Sequence, residues 1–150
     1  MAFLVETTLK ALQTHLAKTG FVRNALIGEP KSPADVLTAA VFMQSATVTQ
    51  VMFDGSTVEL HTVLTRVYDQ MLDEPTEDLE IRVAHAVSQI SSNMLGDFDL
   101  NSTIRHVDAA GSQGTPFGIQ WGYAEIGGVM HRIADITVPM VVDGSAKLVA

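Results

Sequence analysis

The stretch AAVFMQSATVTQVMF-DG-STVELHTVLTRVYDQM, Ala39 to Met71, decides the fold. Two runs rich in β-branched residues flank Asp54-Gly55. A two-residue type I′ turn needs positive φ at both central positions, and Asp-Gly supplies it, so the spacing predicts a β-hairpin. That register sets Val51 opposite Val58, Thr49 opposite Leu60 and Met43 opposite Arg66. A longer, mobile loop around Gly55 is the competing reading. Either way both arms run well past the usual ~5–6 residues of a strand. Arms of that length reach beyond their own domain and are placed to pair with a neighbour.

Working outward, Leu4, Val5, Leu9, Leu12 and Leu16 recur at helical spacing between Phe3 and Lys18, with Glu6, Lys10, Gln13 and Lys18 on the other side. This is an amphipathic helix that docks on a sheet, and Gly20 is its stop. GEPKSPADVLT (Gly28–Thr38) reads as an irregular loop. On the far side of the hairpin, Asp73, Glu74, Glu77, Asp78 and Glu80 gather where a second helix begins. They complement the macrodipole there, and Pro75 is tolerated in a first turn. Leu79, Val83, Val87, Ile90 and Met94 form that helix's buried stripe, and Gly96 ends it. Three strands follow over Thr103–Asp108, Ile119–Ile126 and Val129–Val142. Gly127-Gly128 joins the last two as a tight turn, which sets Tyr123 opposite Arg132, Trp121 opposite Ala134 and Glu125 diagonal to Arg132. Arg132 thus gains an aromatic face and a carboxylate, a structural role. The order α-β-β-α-β-β-β predicts a single α+β domain over residues 1–150, with one mainly antiparallel sheet packed against two helices.

The bulk composition narrows the function. The chain has 150 residues, 47% of them hydrophobic and only 17% charged, with a formal net charge of −8. Thr, Ser, Gln and Ala replace the missing charge and leave neutral surface for another protein to meet. No window gathers three cations, so the counterion release that drives nucleic-acid binding has no basis here. There are no cysteines, which excludes disulfides, thiolate zinc sites and thiol catalysis. The N-terminal segment interrupts its apolar periodicity with Glu6 and Lys10, so it reads as neither a signal peptide nor a membrane span. Synthesis and folding in a cytoplasm are expected.

The segment DAAGSQGTPFGIQWGY (Asp108–Tyr123) carries glycines at 111, 114, 118 and 122 and raises the question of a phosphate loop. Such a loop leads into a helix N-terminus and is followed by a lysine. Here a strand follows, no Lys or Arg lies between Arg105 and Arg132, and Pro116 deletes a backbone donor. The glycines read instead as backbone permissiveness, in a mobile loop that orders against a neighbour. Histidines 15, 61, 85, 106 and 131 do not fall at metal-ligand spacing. His106 and Asp108 share a strand face, which keeps a small hydrolase as a remote alternative, but no nucleophile elbow accompanies them.

Several phrases then occur in order: LKALQTHLAKTG, LIGEPKSP, LTAAVF, RVYDQMLDEP, GDFDLNSTIRHVD and GTPFGIQWGYAEIGGVMHRIADITVPMVVD. From about Leu9 to Asp143 this series resembles the tail terminator (tail completion) proteins of long-tailed, siphovirus-type bacteriophages, particularly those of actinobacterial hosts. The resemblance implies a non-enzymatic structural protein of the virion, assembled in the host cytoplasm. Its subunits form a ring, usually a hexamer, on the head-proximal end of the tail tube. The ring stops polymerisation of the major tail protein and joins the tail to head connector proteins, with DNA passing through its lumen. It implies no catalytic residue, cofactor, metal or membrane. An acidic lumen would let DNA slide rather than stick. On the matching positions the implied contacts with neighbours or tube are Arg66, Tyr68, Asp97, Asp99, Arg105, Gly111, Gly114 and Phe117. A head-closure or connector protein of the phage neck is the alternative in the same class.

Overall fold

The computed structural model of the chain describes residues 5–28, 30–31, 36–71, 76–96, 104, 106–112 and 114–147. In chain order the elements are α1 (Val5–Thr19), β1 (Asn24–Ile27), β2 (Thr38–Val51), β3 (Ser56–Gln70), α2 (Thr76–Gly96), β4 (His106–Val107), β5 (Gly118–Ile126) and β6 (Val129–Lys147). They form one sheet in the order β1-β2-β3-β6-β4, with β5 also pairing β6. All described pairings are antiparallel except β1 with β2. The α+β class and the element order agree with the sequence reading, with one added strand. That strand, β1, has four residues, too few for an alternating pattern to show.

Both helices lie on one face of the sheet. Leu12 and Leu16 of α1 pack with Leu79, Val83, Val87, Ile90 and Met94 of α2 against Val41, Val63, Val67 and alternate residues of β6. Burying each such side chain contributes roughly 1.5–3 kcal/mol, so this layer fixes the helices to the sheet. The stripe expected for α2 is the stripe it buries. On the other face Ala40, Tyr68, Ile126 and Ile133 form a smaller cluster, and Val58, Leu60 and Val141 a third.

The hairpin exists, with arms of 14 and 15 residues, but its register differs from the one Asp54-Gly55 predicts. The Gly55 amide donates to the Met52 carbonyl at 3.0 Å and Met52 donates to Ser56 at 2.8 Å, which makes a three-residue loop rather than a two-residue one. Gly55 takes the left-handed position that ends such a loop, at φ 84°. Two register shifts on β2, between Met43 and Ser45 and between Val48 and Gln50, then each add a residue. Val51 therefore pairs Thr57, Thr47 pairs Leu60, and Met43 pairs Val63 rather than Arg66. The second hairpin has no such irregularity. Gly127-Gly128 makes the tight turn, and Tyr123 faces Arg132 and Trp121 faces Ala134 as the spacing requires.

Candidate functional site

Arg66 stands on β3 directly opposite Asp135 on β6. Its Nε donates to Asp135 Oδ1 at 2.6 Å and a terminal nitrogen donates to Oδ2 at 3.0 Å, a bidentate pair. The Phe42 ring lies 5.6 Å from the guanidinium. Hydrogen bonding to Asp135 holds the Arg66 pKa above its ordinary value, with the nearby Tyr68 adding to the effect. The charge of Arg66 is thus matched inside the subunit. Tyr68, two residues on, is fully buried. Its ring meets His131 edge-on at 6.3 Å. Any influence of Tyr68 on a neighbouring molecule passes through the packing beneath the surface.

Arg132 occupies the helix-side face of β6. Its guanidinium lies 4.6 Å from the Tyr123 ring centroid and 5.7 Å from that of Trp121. The aromatic partners are those the turn register predicts. The carboxylate is not: Glu80 of α2, rather than Glu125, accepts from Arg132 at 2.8 and 3.1 Å. Glu80 on α2 lies over this sheet face and takes the guanidinium, and Glu125 makes no ion pair among the described residues. Arg132 also donates to the Gly122 carbonyl at 3.1 Å. Arg132 holds the Glu80 carboxyl below its usual range, mainly by hydrogen bonding. A depressed folded-state pKa contributes stability that is fully present above the unfolded value, about 4.3, and lost as pH falls through the lowered one. Acid titration of Glu80→Gln is expected to show a shallower loss of stability below about pH 4.3 than the parent chain, read by thermal melts. A second helix-to-sheet pair lies two residues along α2 with the charges exchanged, Arg82 of the helix donating to Asp69 of β3.

The glycine-containing loop is closed by its own hydrogen bonds. Asp108 Oδ1 accepts from the Ser112 amide at 3.1 Å and from its hydroxyl at 2.7 Å. The Gly114 amide donates to the Gly111 carbonyl at 2.9 Å and Phe117 to Ala109 at 3.2 Å. A Cβ on Gly111 would sit 2.8 Å from the Pro116 nitrogen, so the loop requires glycine there. The loop presents Gly111 and Gly114 at a folded corner, while Phe117 packs against the main core. The same bonds engage the Asp108 carboxylate with Ser112. Asp97, Asp99 and Arg105 lie outside the described residues.

Among the described residues no cluster of three or more His, Asp or Glu is placed to hold a metal. The cleft on α2 is lined by Gln89, Ser92, Asn93 and Gly96, none of them titratable. No helix among the described residues is long and apolar enough to cross a membrane.

The surface that stands out is the sheet's own boundary. From Gln44 to Phe53 the hairpin is exposed along nearly its whole length, with Val48, Val51 and Met52 uncovered and Phe53 fully exposed at the tip. This run contains no charged residue. On the opposite side β5 pairs β6 along one edge only, and its Trp121 and Tyr123 are 43% and 59% exposed. Exposed strand edges normally carry lysines, prolines or covering loops that block further pairing. These carry Thr, Gln, Val and aromatics, with Glu125 near the end of β5 as the one charge.

No family model matches the chain, and no curated protein matches it.

Two features of this geometry escaped the sequence. The β1 edge is one. The other is a buried polar chain on β3, where Thr8 Oγ1 lies 2.9 Å from His61 Nδ1 and His61 Nε2 lies 2.7 Å from Glu59 Oε1. Their only signal was a charged and an imidazole residue two apart on one strand face.

Proposed function

We propose that the chain is the subunit of a ring that caps the head-proximal end of a long phage tail tube. One observation carries this reading: among the described residues the sheet is left open at both edges, and its β2 edge runs on through the uncharged stretch Gln44–Phe53. A monomeric end-product protein covers or charges such edges. A ring subunit keeps them neutral because a neighbour covers them, and a cyclic ring needs two complementary edges rather than one self-matching patch. The phrases along the chain that resemble tail terminators support the same conclusion.

In this reading the subunit acts by edge recognition. The ring, a hexamer on the resemblance, matches the exposed end of the tube of major tail protein and offers no further site for addition. The apolar arm tips, Val51, Met52 and Phe53, all point to the same end of the ring and contact either the tube or the head connector. DNA passes through the lumen without being bound. The test is electron microscopy of particles made without this chain. Tails that overrun their normal length, or tubes without a capped end, are expected. Tails of normal length that fail to join heads would overturn the capping role in favour of a neck protein.

A further inference from the structure

We infer that copies of this chain join head to tail by pairing the outer edge of β5 in one copy with the outer edge of β1 in the next. Three independent features of the sheet lead there.

The first is direction. β1 runs parallel to β2, and β2, β3, β6 and β5 then alternate. β5 therefore runs opposite to β1. Rotation about an axis along the strands preserves direction from copy to copy, so β5 meets the next β1 antiparallel, the favoured arrangement.

The second is level. Successive pairings place Asn24, Thr38, Tyr68, Ile133 and Gly122 on one row across the sheet, and Ile27, Val41, Thr65, Ile136 and Ile119 on another. The two edges thus lie at the same height, and a neighbour needs no slide along the strands to bring them together. In that register Ile27 faces Ile119 and Ala25 faces Trp121. The β2 arm, by contrast, stands at the other end of the sheet and would require a large stagger to reach β5.

The third is complementarity. β1 reads NALI and is uncharged, with Leu26 and Ile27 exposed on it. Along β5, Ile119, Trp121 and Tyr123 are exposed. Arg23, exposed just before β1, falls on the row of Tyr123 and diagonal to Glu125, which is exposed near the end of β5. Neither Arg23 nor Glu125 has an ion-pair partner among the described residues. Pairing supplies Arg23 with an aromatic ring and a carboxylate, which is what Arg132 already has one strand inward. One edge group is already used, since Gln13 donates to the Ala25 carbonyl at 3.0 Å.

A strand-to-strand joint also fits the cap. Main-chain hydrogen bonds continue the sheet from copy to copy, and the exposed side chains set the register. Closure into a ring rests on the function proposed above. The edge pairing itself does not.

The chain's lack of cysteine makes the test clean. Opposed Cβ atoms in an antiparallel pair lie about 4.5–5.5 Å apart, within reach of a disulfide after a small adjustment. Ile27→Cys and Ile119→Cys proteins, mixed and oxidised, are expected to give the mixed dimer as the main covalent product. A chain carrying both substitutions is expected to give a ladder, in concentrated protein or in isolated particles. Arg23→Glu is expected to lower the yield about five-fold, with Glu125→Lys restoring it. Self-linking of Ile119→Cys alone would show a two-fold β5–β5 contact and overturn the inference. So would absence of the mixed dimer from both concentrated protein and particles. A ladder together with normal tail length in particles lacking the chain would retain the joint and remove the capping role. Overlong tails without the mixed dimer would do the reverse.

Discussion

Tyr68→Ala is expected to destabilise the subunit by about 3–5 kcal/mol, the cost of emptying a fully buried aromatic site. Tyr68 is 0% exposed and packs with Ala40, Ile126 and Ile133 on the sheet face away from the helices. Among the described residues no helix covers that cluster, so few neighbouring atoms are free to collapse into the space. The edge contact with His131 is lost as well. For a chain of this size each kcal/mol moves the melting temperature by about 2–4 °C, so a fall of about 6–20 °C is expected in calorimetry. Tyr68→Phe retains the ring and is expected to cost about 1 kcal/mol, the worth of a hydroxyl hydrogen bond. An alanine variant that melts within 2 °C of the parent would show that the face is already solvated, and the role of Tyr68 would have to be sought outside the subunit.

The second large effect is expected at His61. Glu59, His61 and Thr8 are buried together under α1, and Glu59 Oε2 has no hydrogen-bond partner among the described residues. His61→Leu removes the group that meets Glu59 Oε1 and leaves a buried carboxyl without a partner. Removing one member of a buried polar pair in this way costs about 3–5 kcal/mol. Replacing both, as Glu59→Leu with His61→Leu, is expected to recover most of that loss, because the apolar pair leaves nothing unsatisfied. Urea unfolding of the two single variants and the double variant gives the coupling directly. A double variant as unstable as His61→Leu alone would mean that the polar chain itself anchors α1. Thr8→Val, at the end of the chain, is expected to cost about 1 kcal/mol.

These two sites show where the sequence was legible and where it was not. The β5–β6 hairpin was readable to the residue because Gly127-Gly128 sets the register in one step and nothing later disturbs it. The β2–β3 hairpin was readable only as a hairpin. Its loop has one residue more than Asp-Gly suggests, and two bulges add one each, so the error grows with distance from the turn. Local sequence does not announce a bulge. The polar residues Thr57, Glu59 and His61 alternate with Val58 and Leu60, a pattern that reads as a solvated face. α1 lies over that face near His61, a contact between residues far apart in the chain. Arg132 followed the same logic in part: its rings came from the adjacent strand, its carboxylate from α2. The composition anticipated neutral surface but not its location, which only the pairing order reveals.

The seam between β3 and β6 has a consequence for how the chain reaches this structure. β2 with β3, and β5 with β6, are local hairpins, each closed by a short turn. Their union pairs residues 56–70 with residues 131–147, across α2 and the glycine-containing loop. Contacts so remote in sequence carry a loop-closure cost before they return any stability, so they form late. During synthesis the first hairpin emerges with α1 already made, and the inner side of β3 stays bare until the last strand leaves the ribosome. For that interval the edge that will become the middle of the sheet is as open as the two that remain at its rim. Substitutions along β3 and β6 that weaken this join prolong the interval, so their first sign is insoluble chain rather than a lower melting temperature.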